Sequence, residues 1–368
     1  MTETTTNSTK KMAILVFLIG IIFVLHTLKS LIIPLLLAVI FAILIFPIQI
    51  LIERKLKFNR LFATISSIFI LFVVTLFLTI TIVFQLQNLF DDTSLYVDKL
   101  SQIYENFIEG IEHTFHISKR YSLLNQNFNF GAFLKRNFDQ ISSFALEWGT
   151  VLSNLILIPI YMFFFLYYRK FFRTFAYKLF KSKTKSIINS VILKVYNIQR
   201  NYLMGLLKVI LIVGVLNSIG LLFLGIDNAI FFGFFGAILL VVPYVGIIVG
   251  SLLPALIALV TKDSYWYAIG VVAVFGIIQF FEGYLITPQI VGDKVSVNAF
   301  AAILALLGFA MLWGVAGMVV ALPVTATLKI LLDHSKNYEA YGFLIGAPSD
   351  NLLRSEARHR LKKWQNNK

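Results

Sequence analysis

The 368-residue sequence has no cysteine, which excludes disulfides, a thiolate nucleophile and any cysteine-ligated metal. Charge is scarce as well: Asp, Glu, Lys and Arg make up 14% of residues, against roughly a quarter in soluble domains. The five histidines, His26, His113, His116, His334 and His359, never fall in the HExxH spacing of a zinc hydrolase. His113 and His116 alone have a metal-like separation, and solvated polar side chains are the simpler reading. No GxxxxGK followed by Ser or Thr occurs, so ATP is not a direct energy source within this chain. Asp91-Asp92 looks like half of the magnesium site of a diphosphate-binding membrane enzyme. The second carboxylate set and the basic clamps are missing, and helix capping is the plainer role. Neither a metal nor an organic cofactor is expected.

What is present is apolar. Hydrophobic residues make up 58% of the chain and the mean hydropathy is +0.83, which defines an all-α polytopic membrane protein. The net charge of +14 does not point to nucleic acid, because the basic residues crowd into short segments between apolar spans, where they orient membrane helices. The polar opening MTETTTNSTKK (1–11) is read as a cytoplasmic tail, and the apolar run after it as an uncleaved first helix, since another span follows almost at once. Residues 12–87 hold three spans: Met12–Leu28, a two-residue turn at Lys29-Ser30, Leu31–Ile52 with Pro34 in its first turn and Pro47 bending it, and Leu61–Gln87. Residues 88–147, rich in Asp and Glu, are expected as extracytoplasmic amphipathic helices on the outer surface or on neighbouring subunits. A fourth span covers 148–168. The stretch 169–205 is basic with no acidic residue and is placed in the cytoplasm, like the tail 334–368.

Residues 206–333 are expected to be the transport core. Leu206–Leu224 is a fifth span and Trp266–Phe281 a sixth. Ala229–Val260 and Ala299–Leu332 are long for single crossings, and prolines and glycines interrupt both, so they read as broken or re-entrant hairpins turning near Pro243–Gly246 and Trp313-Gly314. Backbone opened at membrane depth must meet protein or water, which is how discontinuous helices form solute sites. The candidate pathway is Pro243, Tyr244, Gly246, Gly250, Ser251, Pro254, Gln279, Glu282, Thr287, Pro288, Asn298, Pro323 and Thr325. Two readings stand for the first group: Pro243, Gly246, Gly250 and Pro254 either expose backbone to a solute or let helices pack closely. Glu282 is the sharpest candidate, a carboxylate at the end of a nearly uncharged run. A carboxyl group in apolar surroundings holds a proton more readily, which suits exchange of H⁺ for a cation or solute; the plainer alternative is an interfacial pair with Lys294 or Arg200. Asp293 and Lys294 are candidate gates, and Asn298, Thr325 and Thr327 have packing hydrogen bonds as their simpler role.

The segments VPYVGIIVGSLLPALIAL, FFEGYLITPQIVGDKV and GVAGMVVALPVTATLKIL, in this order, resemble the C-terminal half of the AI-2E family of bacterial transporters, and LIIPLLLAVIFAILIFPIQILIERK is similar to the family's opening helices. The resemblance covers about Ala13 to Leu332. It implies a permease without enzymatic activity, exporting autoinducer-2 or a small organic anion, or exchanging Na⁺ or Li⁺ for H⁺. It also implies ring-like homo-oligomers such as pentamers, with elevator-like movement. A membrane-embedded enzyme and a scaffold without transport are the competing classes. The expected partners are thus a small-molecule or ion substrate, the lipid bilayer and further copies of the chain. In the expected mechanism the two hairpins and Trp266–Phe281 hold the solute and move against the first four helices.

Overall fold

A backbone inside hydrocarbon has to satisfy its own N–H and C=O groups, and the described chain does so almost entirely by helix. The structure is a computed structural model that describes residues 12, 16–17, 19–91, 93–115, 132, 156–180, 183–242, 245–291, 297–335 and 337–347. After a helical segment at 19–27 come α1 (Lys29–Arg54), α2 (Arg60–Asp91), α3 (Thr93–Phe115), α4 (Leu157–Tyr167), α5 (Arg169–Leu179), α6 (Lys185–Phe223), α7 (Ala229–Leu239), α8 (Val245–Thr261), α9 (Trp266–Phe281), a π-helical turn (Glu282–Ile286), α10 (Thr287–Ile290), α11 (Ala299–Asp333) and α12 (Glu339–Ile345). Among the described residues extended pairing is confined to one bridge, Val297 with Gly346. Among the described residues five helices, Lys29–Arg54, Arg60–Gln87, Lys185–Phe223, Trp266–Ile290 and Ala299–Asp333, are long and apolar enough to cross a membrane.

The chain forms two compact units, one of Met1–Ile65, Ile160–Gly205 and Gln289–Lys368, the other of Ser66–Pro159 and Leu206–Pro288. In the first, Ile40, Leu203 and Val320 are buried together, with Leu36, Leu44, Phe309 and Trp313 against them. Gln49, fully buried, donates to Thr64 Oγ1 at 2.7 Å, and Thr64 in turn donates to the Arg60 carbonyl at 2.8 Å, which locks the start of α2 onto α1. Asn59 caps α2 by accepting from the Phe62 amide at 2.9 Å.

The second unit is built on α7–α9. Leu221, Phe232, Ala258, Val271 and Phe275 lie in its buried core. α6 ends here in a Schellman cap: Gly225 at φ 65° donates to the Leu222 carbonyl at 2.9 Å, and the Ile226 amide reaches Leu221 at 3.0 Å. That turn aims α7 back along α6, where Gly233 packs on Ser218. At the far end of α8, the Lys99 ammonium of α3 donates to the Val260 carbonyl at 2.9 Å. Part of the acidic segment therefore packs on its own chain: Leu100 is buried, while Ile103 on the same helix stays exposed.

Several helix starts differ from the sequence reading. Lys29 and Ser30, read as a turn between spans, are the first residues of α1, which begins after a single departure at Leu28 (φ −87°, ψ 16°). Pro34 and Pro47 consequently both lie inside α1. α6 begins at Lys185 and runs for 39 residues, about 58 Å at the usual rise, so the basic stretch before Leu206 is helical and extends the fifth span well past hydrocarbon thickness. Hydropathy marks where the apolar run starts, whereas the helix is set by hydrogen bonds that continue through the polar turns of KVYNIQRN.

Candidate functional site

The second unit contains a place where helix geometry changes inside an apolar run. α9 carries no charge from Trp266 to Phe281, and at its end the backbone widens into a π turn in which the Thr287 amide donates to the Glu282 carbonyl. Pro288 lies just beyond; it lacks a donor, and its ring crowds the carbonyl four residues back, strain that a wider turn relieves. In an α-helix a residue five positions on lies about 140° around the axis, so Thr287 and Glu282 would face apart. The π turn brings them together: Thr287 Oγ1 donates to Glu282 Oε1, and Gln279 Nε2 donates to Oε2 at 2.5 Å. Both oxygens of a half-buried carboxylate are thus served by neutral donors from its own helix. Among the described residues no ion pair engages this acceptor-only group, and Lys294, one of its two candidate partners, lies outside them.

The small residues of the first hairpin do something else. α7 and α8 are antiparallel neighbours on either side of 240–244, and a Cβ on Gly250 would stand 2.8 Å from the Gly236 Cα. One on Gly246 would stand 2.6 Å from the Leu239 carbonyl carbon, and Pro254 is among the most deeply buried side chains. Gly246, Gly250 and Pro254 therefore let two helices touch backbone to backbone. Ser251 Oγ donates to the Ile247 carbonyl of its own helix at 2.7 Å. Pro243 and Tyr244 and the candidate gates Asp293 and Lys294 lie outside the described residues, as does His116.

In the first unit the second hairpin is a helix broken at one residue. Gly314 has φ 63° and ψ −140°, a conformation that is essentially glycine's alone. Beyond it Gly317 abuts the Phe309 carbonyl, although a straight helix would separate residues eight apart by about 12 Å of rise, so the axis doubles back here. Trp313 Nε1 donates to the Leu25 carbonyl at 3.0 Å and His26 Nδ1 lies 3.1 Å from the Leu312 carbonyl, which ties the break to the 19–27 helix. Pro323 is buried in the returning half; its carbonyl accepts from Gln199 Nε2 at 2.5 Å and Thr327 Oγ1 at 3.0 Å. Thr325 is buried beside it in sequence. Asn298 is a structural cap: its Oδ1 accepts from the Ala301 amide at 2.8 Å, and its Nδ2 donates to the Leu344 carbonyl at 2.7 Å and the Gly346 carbonyl at 3.0 Å.

Of the candidate residues, then, Gln279, Glu282 and Thr287 meet around one carboxylate; Gly246, Gly250 and Pro254 pack a hairpin; Asn298 caps a helix. Gln199, expected with Asn201 and Asn217 to be helix glue at the entry of the fifth span, is 4% exposed and binds the returning half of α11, with its Oε1 unpartnered among the described residues; what sequence reading missed is the bend at Leu28. Among the described residues no three His, Asp or Glu side chains gather in a way that could hold a metal.

These features define an all-helical, multi-pass membrane protein whose helices are interrupted inside their apolar stretches. The chain belongs to the AI-2E family of transporters, whose sequence profile matches residues 12–337. It is 25% identical over 311 residues to the Bacillus subtilis protein named "Putative transport protein YueF", covering 82% of this chain and 83% of that one. It is 35% identical over 134 residues to "Putative transport protein YrrI" of the same organism, and 26% identical over 133 residues to "Putative transport protein YhhT" of Escherichia coli K12. The latter two matches span 36% of this chain and only 37% and 38% of those relatives.

Proposed function

We propose that the protein is a secondary permease that exports a small solute such as autoinducer-2 or a small organic anion, and that ion coupling, where used, runs through Glu282. The carboxylate gathered with Gln279 and Thr287 at the π turn carries this reading, because widened turns recur at functional sites and an intramembrane carboxylate is costly to keep without a use. The same observation favours exchange of Na⁺ or Li⁺ for H⁺ as the second reading: an acceptor-only site binds cations and protons, and repels an organic anion unless protonated. The basic segments around Arg54–Arg60 and Arg169–Arg200 support cytoplasmic termini at the inner membrane. Homo-oligomers such as pentamers are part of the proposal on family resemblance.

The test is flux in proteoliposomes under imposed pH gradients, with autoinducer-2, Na⁺ and Li⁺ compared for wild type and Glu282→Gln. Glutamine keeps an acceptor for Thr287 and removes the titrating oxygen. Loss of gradient-driven flux in the variant supports coupling at Glu282; unchanged flux of every solute removes that residue from the mechanism.

A further inference from the structure

The turn from α1 to α2 and the junction of α4 with α5 border an open cavity of about 580 Å³, walled by Glu53, Arg60, Lys170 and the rings of Tyr167, Tyr168 and Phe171. Its charge is unbalanced. Among the described residues Glu53 is the one carboxylate on its wall; Arg169 Nη2 donates to both of its oxygens, at 2.9 and 2.7 Å, while Arg60 Nε stands 3.9 Å away. Among the described residues Arg60 Nε, on the cavity wall, is buried with no acceptor at hydrogen-bond distance, a costly state for a guanidinium N–H, whereas Arg169 lies behind Glu53 with its guanidinium over the Phe46 ring. Among the described residues the wall thus holds two cations, Arg60 and Lys170, against one carboxylate already engaged by Arg169, and a further anion with several acceptor oxygens fits the deficit.

The helix that leaves this cavity adds a second requirement. At 3.6 residues per turn, Phe171, Phe172, Phe175, Ala176 and Leu179 of α5 fall within an arc of about 140°, and Arg169, Lys170, Arg173 and Lys178 on the remainder. None of α5 is buried, and Phe171, Phe175 and Leu179 are 64%, 55% and 61% exposed. From Arg169 to Lys208 the sequence holds no acidic residue. A free inorganic anion accounts for the cavity but leaves the phenyl face bare; an anionic lipid accounts for both.

We propose that the cavity binds the phosphate headgroup of an anionic phospholipid, with α5 lying in the membrane interface on its Phe171–Phe175–Leu179 face. Arg60 and Lys170 bind the phosphate, Tyr167 and Tyr168 line the glycerol level, and the acyl chains run along the phenyl rings. This site is separate from Glu282 and stands whatever the protein transports.

The experiment is native mass spectrometry of the full chain in detergent, with phosphatidylglycerol, phosphatidylcholine or inorganic phosphate added. Wild type is expected to retain phosphatidylglycerol over phosphatidylcholine, and Lys170→Gln, at an exposed position, to weaken that retention about fivefold, the effect of one basic residue at an anionic surface. Arg60→Gln is expected to weaken it further; should it unfold the α1–α2 turn, Lys170→Gln alone decides. Phe175→Asn is expected to lower phosphatidylglycerol retention as well. Equal retention of the two lipids, or no change in Lys170→Gln, overturns the proposal. Displacement of phosphatidylglycerol by inorganic phosphate overturns the lipid as occupant and leaves a soluble-anion site.

Discussion

The π turn at Glu282 and the break at Gly314 both interrupt long apolar helices, by opposite means. At Gly314 the backbone itself is forced: one residue enters a region closed to side chains, and Gly317 seats against the Phe309 carbonyl with no room for a Cβ. At Glu282 the dihedrals stay in the helical range, Gly283 has nothing within 4 Å, and the turn is held by side-chain hydrogen bonds from Gln279 and Thr287. A break made by backbone sterics has one geometry. One made by hydrogen bonds to a carboxylate depends on what that carboxylate binds, which is why the proposed coupling is assigned to Glu282.

Substitutions can break that contrast, and Gly317→Val is the strongest. Its side chain meets backbone rather than a flexible tip, so a loss beyond about 3 kcal/mol and little monodisperse protein in detergent size-exclusion are expected. Gly314→Ala should cost about 2 to 3 kcal/mol, the strain of a non-glycine residue at that φ and ψ, seen as a lower melting temperature. Thr287→Val, nearly isosteric, removes one donor from Glu282 and should cost about 1 to 2 kcal/mol, seen as a lower melting temperature in detergent. Gly283→Ala should change stability by less than about 1 kcal/mol, and in the stabilising direction, because alanine favours helix and meets nothing. A large loss in Gly283→Ala, or none in Gly314→Ala, would erase the distinction.

Much of this was legible before any coordinates. Trp266–Phe281 is α9 with the same ends, the tip of the first hairpin falls between α7 and α8, and the second turns at Gly314. These succeeded because glycine, proline and charge punctuate apolar runs sharply. Polar helix was harder to see: α5 and the first half of α6 lie in a basic stretch without an apolar run, so hydropathy passed over them. The grouping at Glu282 had a signal that went unread. Gln279, Glu282 and Thr287 are spaced three and five apart, and the second interval suits a π turn where three or four would suit an α-helix. The pairing of Gln199 with Pro323 had none, since the two stand 124 positions apart.

Asn298 joins the start of α11 to the end of α12 through Leu344 and Gly346, and the Asn298 amide adds a bond to the Ile345 carbonyl at 2.9 Å. The helix Glu339–Ile345 is therefore a clasp on the broken rod of α11. Cutting before Glu339 strips its partners and frees the entrance of the rod to fray.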